Sequence, residues 1–186
     1  MQDNDIIKAN SHALKKEMIK QYVSLRFQKY KSTFLYKPIN DIVCVADIQK
    51  SSWSWSYYLN YGIWIQEIAE YPLCPPHQCH LGFRIGNIPG MEDDCRTTYE
   101  YDGNASFIDK LLDLEVFFSR VNDYSIDLHE RIKVVQYIFQ DLLPTFFSKL
   151  SMEYFKEVYF SYEHGKSWAR ITTPALRLFA PHIFNK

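Results

Sequence analysis

The sequence predicts an α+β domain, with a mostly antiparallel four-stranded sheet in the N-terminal half, after one helix, covered by C-terminal helices. Apolar side chains recur at every second residue between Ile42 and Ile65, which is the period of a β-strand. Beyond Asn104 they recur at three- and four-residue spacing, which is the period of an α-helix. Because the strands precede these helices instead of alternating with them, an antiparallel sheet is favoured over a parallel one.

Turn residues divide the first part of the chain into one helix and two strands. Apolar positions at helical spacing predict a helix over residues 11–25. Aromatic residues alternating with Lys, Ser and Thr predict a first strand over residues 27–37, which ends before Pro38 and a turn at Asn40-Asp41. Residues 42–49 predict a second strand, and since its middle is apolar on both faces, it belongs inside the sheet.

The third predicted strand is strongly aromatic and follows a polar turn at residues 50–52. Its two-residue period places one set of side chains on a single face, namely Trp53, Trp55, Tyr57, Leu59, Tyr61, Ile63 and Ile65. The opposite face carries Ser54, Ser56, Tyr58, Asn60, Gly62 and Trp64. This second set is too polar for a core and too aromatic for an ordinary solvated surface. Three prolines then interrupt the chain within residues 71–78, and a fourth strand is predicted over residues 80–85.

Helices are predicted for the C-terminal half. One begins after Asn104 as N-cap and reaches Val121, and another opens at Asp127 with a capping-box pattern completed by Glu130. Pro144 is expected to kink or end this second helix, because its ring collides with the carbonyl group four residues earlier. A further helix is predicted over residues 152–162. Since no low-complexity linker divides the 186 residues, one domain over residues 1–186 is expected.

The composition limits the classes of function. A hydrophobic content of 47% argues against disorder, and a net charge of −1 lacks the surplus of Lys and Arg that nucleic-acid binding requires. No segment approaches the roughly 20 apolar residues needed to cross a bilayer, and no apolar run follows a basic start. We therefore expect a cytoplasmic protein without membrane association, whose cysteines remain reduced thiols.

Several short motifs carry a family resemblance. They are Phe27-Gln28-Lys29-Tyr30-Lys31, Ile48-Gln49-Lys50-Ser51-Ser52-Trp53, Tyr58-Leu59-Asn60-Tyr61-Gly62-Ile63, and Cys79-His80 before Arg84. In this order they resemble the bacterial domain-of-unknown-function family 4304, over about residues 10–150. The resemblance implies a small intracellular bacterial α+β domain and supplies no activity, substrate or catalytic residue. Tyr61 departs from the family, which often looks aliphatic at this position.

The segment Cys74-Pro-Pro-His77-Gln-Cys79-His80 is the sharpest candidate for chemistry. Thiolates and imidazoles are preferred zinc ligands, so one hypothesis is a metal-dependent or thiol-based enzyme centred on residues 74–80. Structural zinc sites, however, usually pair two ligand groups separated by a longer loop. If His80 starts a strand, Cys79 and His80 also point to opposite faces. A proline-rich loop without a cofactor is therefore favoured, and an enzyme is less expected than a binding protein.

The aromatic sheet surface is the favoured functional candidate. Large rigid aromatic side chains beside hydrogen-bonding groups are typical of the anchors of protein interfaces. The candidate binding residues are Gln49, Lys50, Trp53, Tyr58, Asn60 and Trp64. We therefore expect a non-catalytic module, comparable to an immunity protein or an adaptor, that binds a protein partner. Two alternatives remain open: helices could cover both faces of the sheet, or two copies could associate through it as a homodimer.

Overall fold

The computed structural model describes residues 4–30, 34–85, 117–148, 150–152, 170–171 and 174. The strands are β1 (Gln28–Lys29), β2 (Phe34–Ile39), β3 (Ile42–Lys50), β4 (Tyr57–Ile65), β5 (Leu81–Ile85) and β6 (Arg170–Ile171). The helices are α1 (Asn4–Ser24), α2 (residues 117–122), α3 (Leu128–Tyr137) and α4 (Leu143–Ser148), with a 3-10 turn at Pro76–Gln78 and a π-helical turn at Ile138–Leu142. The predicted α+β class is confirmed.

The strands form one antiparallel sheet in which each strand pairs with its neighbours in sequence, in the order β1-β2-β3-β4-β5-β6. Strands β2 to β5, which have 6, 9, 9 and 5 residues, make up the body of the sheet. The two-residue strands β1 and β6 pair at its two edges. The predicted number of four strands is therefore too low.

The predicted first strand is wrong in its extent. Residues 28–29 and 34–39 form two strands that pair with each other, with Gln28 opposite Tyr36. Pro38 lies inside β2, opposite Val43, instead of after the strand. Since β1 reaches only Leu35 and Tyr36, Pro38 occupies an edge position where its missing N–H removes no bond to β1. The predicted turn is confirmed, because Asn40 adopts the left-handed φ of 53° between Ile39 and Ile42.

Strands β3 and β4 pair along their full length and form the centre of the main core. The side chains on one face of β4 are buried, and they are the ones that the two-residue period predicts: Tyr57, Leu59, Tyr61, Ile63 and Ile65. Helix α1 packs on this face through Leu14, Met18 and Tyr22, and α2, α3 and α4 contribute to the same core. The Tyr22 and Tyr61 hydroxyl groups share a buried hydrogen bond of 2.6 Å. Helices therefore cover this face of the sheet, as predicted.

The β3–β4 connection is longer than predicted, because β4 begins at Tyr57 and not at Trp53. Two serine side chains accept hydrogen bonds from backbone N–H groups of the turn. Ser51 Oγ accepts from the Trp53 N–H at 3.2 Å, and Ser54 Oγ accepts from the Ser56 N–H at 3.2 Å. Such local bonds compete with the pairing of a strand. The prediction that Trp53 shares the buried face is consequently wrong, and its side chain is 96% exposed.

Helix α3 begins where predicted, with Asp127 as N-cap, although the capping box is incomplete. The Asp127 carboxylate accepts from the His129 N–H at 2.8 Å, whereas Glu130 pairs with Lys133 at 2.7 Å. Pro144 does not end the helical path, since α4 follows the π-helical turn directly. In that turn the Leu143 N–H donates to Ile138 O, five residues back. This π-helical turn shifts the register of the backbone hydrogen bonds by one residue before the proline.

Parts of two predicted helices lie outside the described residues. For the helix after Asn104 only residues 117–122 are described, and for the helix over 152–162 only Met152. In the described part of the chain, no helix combines the length and the apolar character needed to span a membrane.

Candidate functional site

The face of the sheet opposite the main core is divided into two halves. In the first, which we call the capped half, Val43, Val45, Gly62 and Trp64 lie against the proline-rich segment 71–79. In the second, the open half, Asp47, Gln49, Tyr58, Asn60 and Arg84 lie on three adjacent strands. The two halves have different chemistry.

The capped half holds a second, smaller apolar cluster. Val43, Val45, Cys74 and Cys79 are buried in it, and the rings of Tyr36, Trp64 and Tyr71 pack around them. Gly62 allows the proline-rich segment to come this near, since a Cβ atom there would lie 2.6 Å from Cys79 Sγ and 2.7 Å from Pro76 Cα. Both distances are shorter than real Cβ contacts, so the close approach requires glycine at this position of β4.

His80 is built into the same half as a neutral side chain. Its ring stacks on Trp64 with 4.1 Å between centroids, and its Nδ1 accepts from the Ile65 N–H at 2.9 Å. Accepting this bond assigns the ring proton to Nε2. Burial lowers the pKa of His80, which favours the same neutral form. His80 precedes β5, so the premise that it starts a strand and faces away from Cys79 is wrong.

The four candidate metal ligands are only partly brought together. Cys74 Sγ and Cys79 Sγ lie 3.9 Å apart, whereas His77 is exposed and the Nδ1 of His80 is occupied by the backbone. Among the residues that the structure describes, no three His, Cys, Asp or Glu side chains are grouped so that they could hold a metal ion. Burial raises the pKa of the Cys74 thiol, which disfavours the thiolate that metal binding and nucleophilic attack require. Cys95 lies outside the described residues.

The open half carries a hydrogen-bond network centred on Arg84. Its Nε donates to Asn60 Oδ1 at 2.7 Å, and one terminal nitrogen donates to Gln49 Oε1 at 3.0 Å. The Asn60 amide also donates to Gln49 Oε1 at 2.9 Å. The guanidinium carbon lies 4.9 Å from the centre of the Tyr58 ring, which is cation–π distance. Three strands therefore hold one exposed cation in a fixed position.

The β3–β4 hairpin adjoins this network and presents a second cation, which lies on an indole ring. Lys50, at the end of β3, places Nζ 3.6 Å from the centre of the Trp55 ring. Trp53 follows in the turn with an almost completely exposed side chain. Tryptophan is among the residue types enriched at the anchors of protein interfaces.

Comparison with known proteins gives the family of this region. Residues 24–114 match the model of a family described as a domain of unknown function, DUF4304. Residues 24–114 are therefore similar to DUF4304 domains. The match confirms the resemblance, over a shorter range than the expected residues 10–150, and includes β1 to β5 with both halves of the second face. No curated protein and no solved structure matches the chain.

The sheet brings together most, but not all, of the predicted binding residues. Gln49, Tyr58 and Asn60 meet in the open half, and Lys50 and Trp53 lie at the adjoining hairpin. Trp64 lies apart from them in the capped half, where its indole N–H donates to Ala69 O at 2.6 Å. Arg84 was missed as a binding residue. The sequence does show Arg84 as a polar residue in the alternating pattern of β5. Its role becomes clear only from the β4–β5 register, which places it opposite Asn60.

Proposed function

We propose that this DUF4304-like protein is an intracellular, non-catalytic module that binds a protein partner through the open half of the sheet and the adjoining hairpin. The observation that supports this best is the fixed position of Arg84, which is exposed and yet held by Asn60, Gln49 and the Tyr58 ring. Such a module would act as an immunity protein or an adaptor.

The network is suited to binding because its side chains are ordered before a partner arrives. Immobilising one rotamer-rich side chain at an interface costs about 0.5–1.5 kcal/mol, and an arginine already held by its neighbours loses less on binding. Arg, Tyr and Trp are also the residue types enriched among the side chains that contribute most to protein–protein affinity. Arg84, Tyr58 and Trp53 supply one of each on this surface.

The charge of the surface favours a partner segment that carries Asp or Glu. Arg84 and Lys50 are both exposed and both lie on aromatic rings. In the described part of the chain, one terminal nitrogen of Arg84 makes no protein hydrogen bond, so it remains a donor for an incoming carboxylate. Charge-assisted bonds from a planar guanidinium to a carboxylate are among the strongest in protein recognition.

Site-specific crosslinking tests the proposal in cells that produce the protein. A photoreactive phenylalanine analogue replaces Trp53, whose exposure makes the substitution tolerable, and in a control protein it replaces Tyr137 on α3, which is 42% exposed. We expect illumination to yield a discrete adduct with another protein from position 53 and not from position 137. Absence of an adduct from position 53, or the same adduct from both positions, would contradict the proposal.

A pair of charge variants then tests which residues bind. Arg84→Ala removes the held cation, and Lys133→Ala is a matched control, since Lys133 is an exposed cation on α3 paired with Glu130. Because hydrogen bonds to charged groups contribute about 1.5–3 kcal/mol, Arg84→Ala should weaken binding of the crosslinked partner about tenfold or more. Lys133→Ala should leave the affinity unchanged. Equal affinities of the two variants would exclude Arg84 as an anchor, and an adduct with a second copy of this chain would replace the protein partner by a homodimer.

A further inference from the structure

We propose that Cys74 and Cys79 are a reversible redox modification site, at which the two thiols close into a disulfide across the proline-rich segment. Their sulfur atoms lie 3.9 Å apart in the capped half. Cys44 is separated from them by the sheet, since it belongs to the main core. This inference is independent of partner binding by the open half.

The local backbone brings the two thiols together. The 3-10 turn at Pro76–Gln78 is closed by the Gln78 N–H donating to Pro75 O at 2.9 Å and the Cys79 N–H donating to Pro76 O at 3.2 Å. A disulfide needs a sulfur–sulfur distance of about 2 Å, so the two sulfurs must approach each other by about 2 Å. Cys79 Sγ cannot move towards the sheet, because it already lies against Gly62. Cys79 Sγ also lies 3.7 Å from Pro75 O, a weak hydrogen bond that the bridge would replace.

The exposure of the two thiols gives the order of the reaction. Cys74 is 7% exposed and Cys79 is completely buried, so Cys74 is the one that an external oxidant reaches. The Cys74 thiolate attacks a low-molecular-weight disulfide, forms a mixed disulfide and releases one thiolate. Cys79 then attacks the Cys74 sulfur and the second thiolate leaves, taking up the proton that Cys79 loses. The two cysteines are oxidised by two electrons, and the small disulfide is reduced to two thiols.

The burial of the pair makes this reaction slow and dependent on pH. Burial raises the pKa of Cys74, so only a small fraction of it is thiolate at neutral pH. The rate of bridge formation should therefore increase about tenfold for each unit of pH until the thiol is largely ionised. Once formed, the bridge closes a loop within the segment 74–79, which packs on Val43 and Val45.

The test uses a variant in which Cys44→Ala and Cys95→Ala leave Cys74 and Cys79 as the two remaining cysteines, and Cys95→Ala alone if replacing the buried Cys44 prevents folding. The folded protein is incubated with oxidised glutathione and analysed by intact mass and peptide mapping. We expect a product lighter by two hydrogen atoms that contains a Cys74–Cys79 bridge and is reversed by dithiothreitol. The bridge closes a short loop, so the melting temperature should increase by about 4–8 °C.

Single variants identify the order of attack. In Cys79→Ala the glutathione adduct should accumulate on Cys74 without resolving, whereas in Cys74→Ala the buried Cys79 should react much more slowly. A stable glutathione adduct in the protein that retains both cysteines would overturn the proposal. So would a bridge from Cys74 to Cys95 in preference to Cys79 when the wild-type protein is treated in the same way, or no reaction over days at pH 9 in the folded protein.

Discussion

Replacing Gly62 by alanine should displace the proline-rich segment from the sheet. The new Cβ would lie 2.6 Å from Cys79 Sγ, 2.7 Å from Pro76 Cα and 2.8 Å from Cys79 Cβ, so backbone as well as side-chain atoms must move. Overpacking of this kind costs typically about 1–3 kcal/mol, and contacts with backbone atoms favour the upper end. Alanine gains about 0.5–1 kcal/mol over glycine in a strand. We therefore expect a net loss of about 2 kcal/mol in the free energy of unfolding.

Two measurements check this magnitude and its location. For a chain of this length, about 2 kcal/mol corresponds to a melting temperature lower by about 4–8 °C. Displacement of the segment should also make Cys74 and Cys79 react faster with a thiol reagent. Adding Cys79→Ala removes only the sulfur contact and leaves Pro76 Cα in place, so it should restore less than half of the stability. If Gly62→Ala were as stable as the wild type, with unchanged thiol reactivity, the close approach of the proline-rich segment would not explain why glycine occupies position 62.

Two further changes probe the core and the pH dependence of stability. Asn122 Oδ1 accepts from the Tyr57 N–H at 2.8 Å and its Nδ2 donates to Tyr57 O at 2.9 Å, so Asn122→Ala leaves two buried backbone groups without partners. Asn122→Ala should cost about 2–4 kcal/mol in urea denaturation, and Asn122→Asp, which places a buried carboxylate oxygen against Tyr57 O, should cost at least as much. A loss below about 1 kcal/mol for Asn122→Ala would show that these bonds contribute little. Because burial lowers the pKa of His80 below 6.5, the unfolded chain binds more protons between the two pKa values. The free energy of unfolding should therefore decrease from pH 7 to pH 5, and His80→Gln should flatten this slope; an unchanged slope would show that His80 does not titrate on unfolding.

The sequence predicts the centre of the sheet well because two independent signals agree there. The two-residue period of Leu59, Tyr61 and Ile63 coincides with complete burial of these side chains, and the turn at Asn40-Asp41 has the residue types that its backbone needs. At the start of β4 the predicted boundary was wrong, although a polar turn was predicted before it. Serine hydroxyl groups satisfied the backbone of residues 51–56, and a strand that would otherwise begin at Trp53 begins at Tyr57.

The candidate site was predicted less completely, because it depends on which segments cover the second face of the sheet. Alternation alone placed Tyr58, Asn60 and Trp64 on one surface. The proline-rich segment covers Trp64 and leaves Asn60 beside Arg84, a division that depends on contacts between residues distant in the sequence. Periodicity contains no information about such contacts, and the register of β5 against β4 is set across a connection of irregular structure.

The size of the side chains on β4 explains where the covered half ends. At Gly62 the backbone of Pro76 comes as near to the strand as glycine permits. Two residues earlier on the same face, Asn60 carries a side chain that bonds to Arg84 and Gln49, and Tyr58 carries a ring under the guanidinium. Covering those positions would leave a charged group buried without a matched partner, and this penalty exceeds the stabilisation that burying the nearby apolar atoms would provide. The same strand therefore favours a dry contact at one end and a hydrated, ordered one at the other. Since the other face of that strand is packed in the main core, the residues of the open half are held by rigid structure and not by a loop.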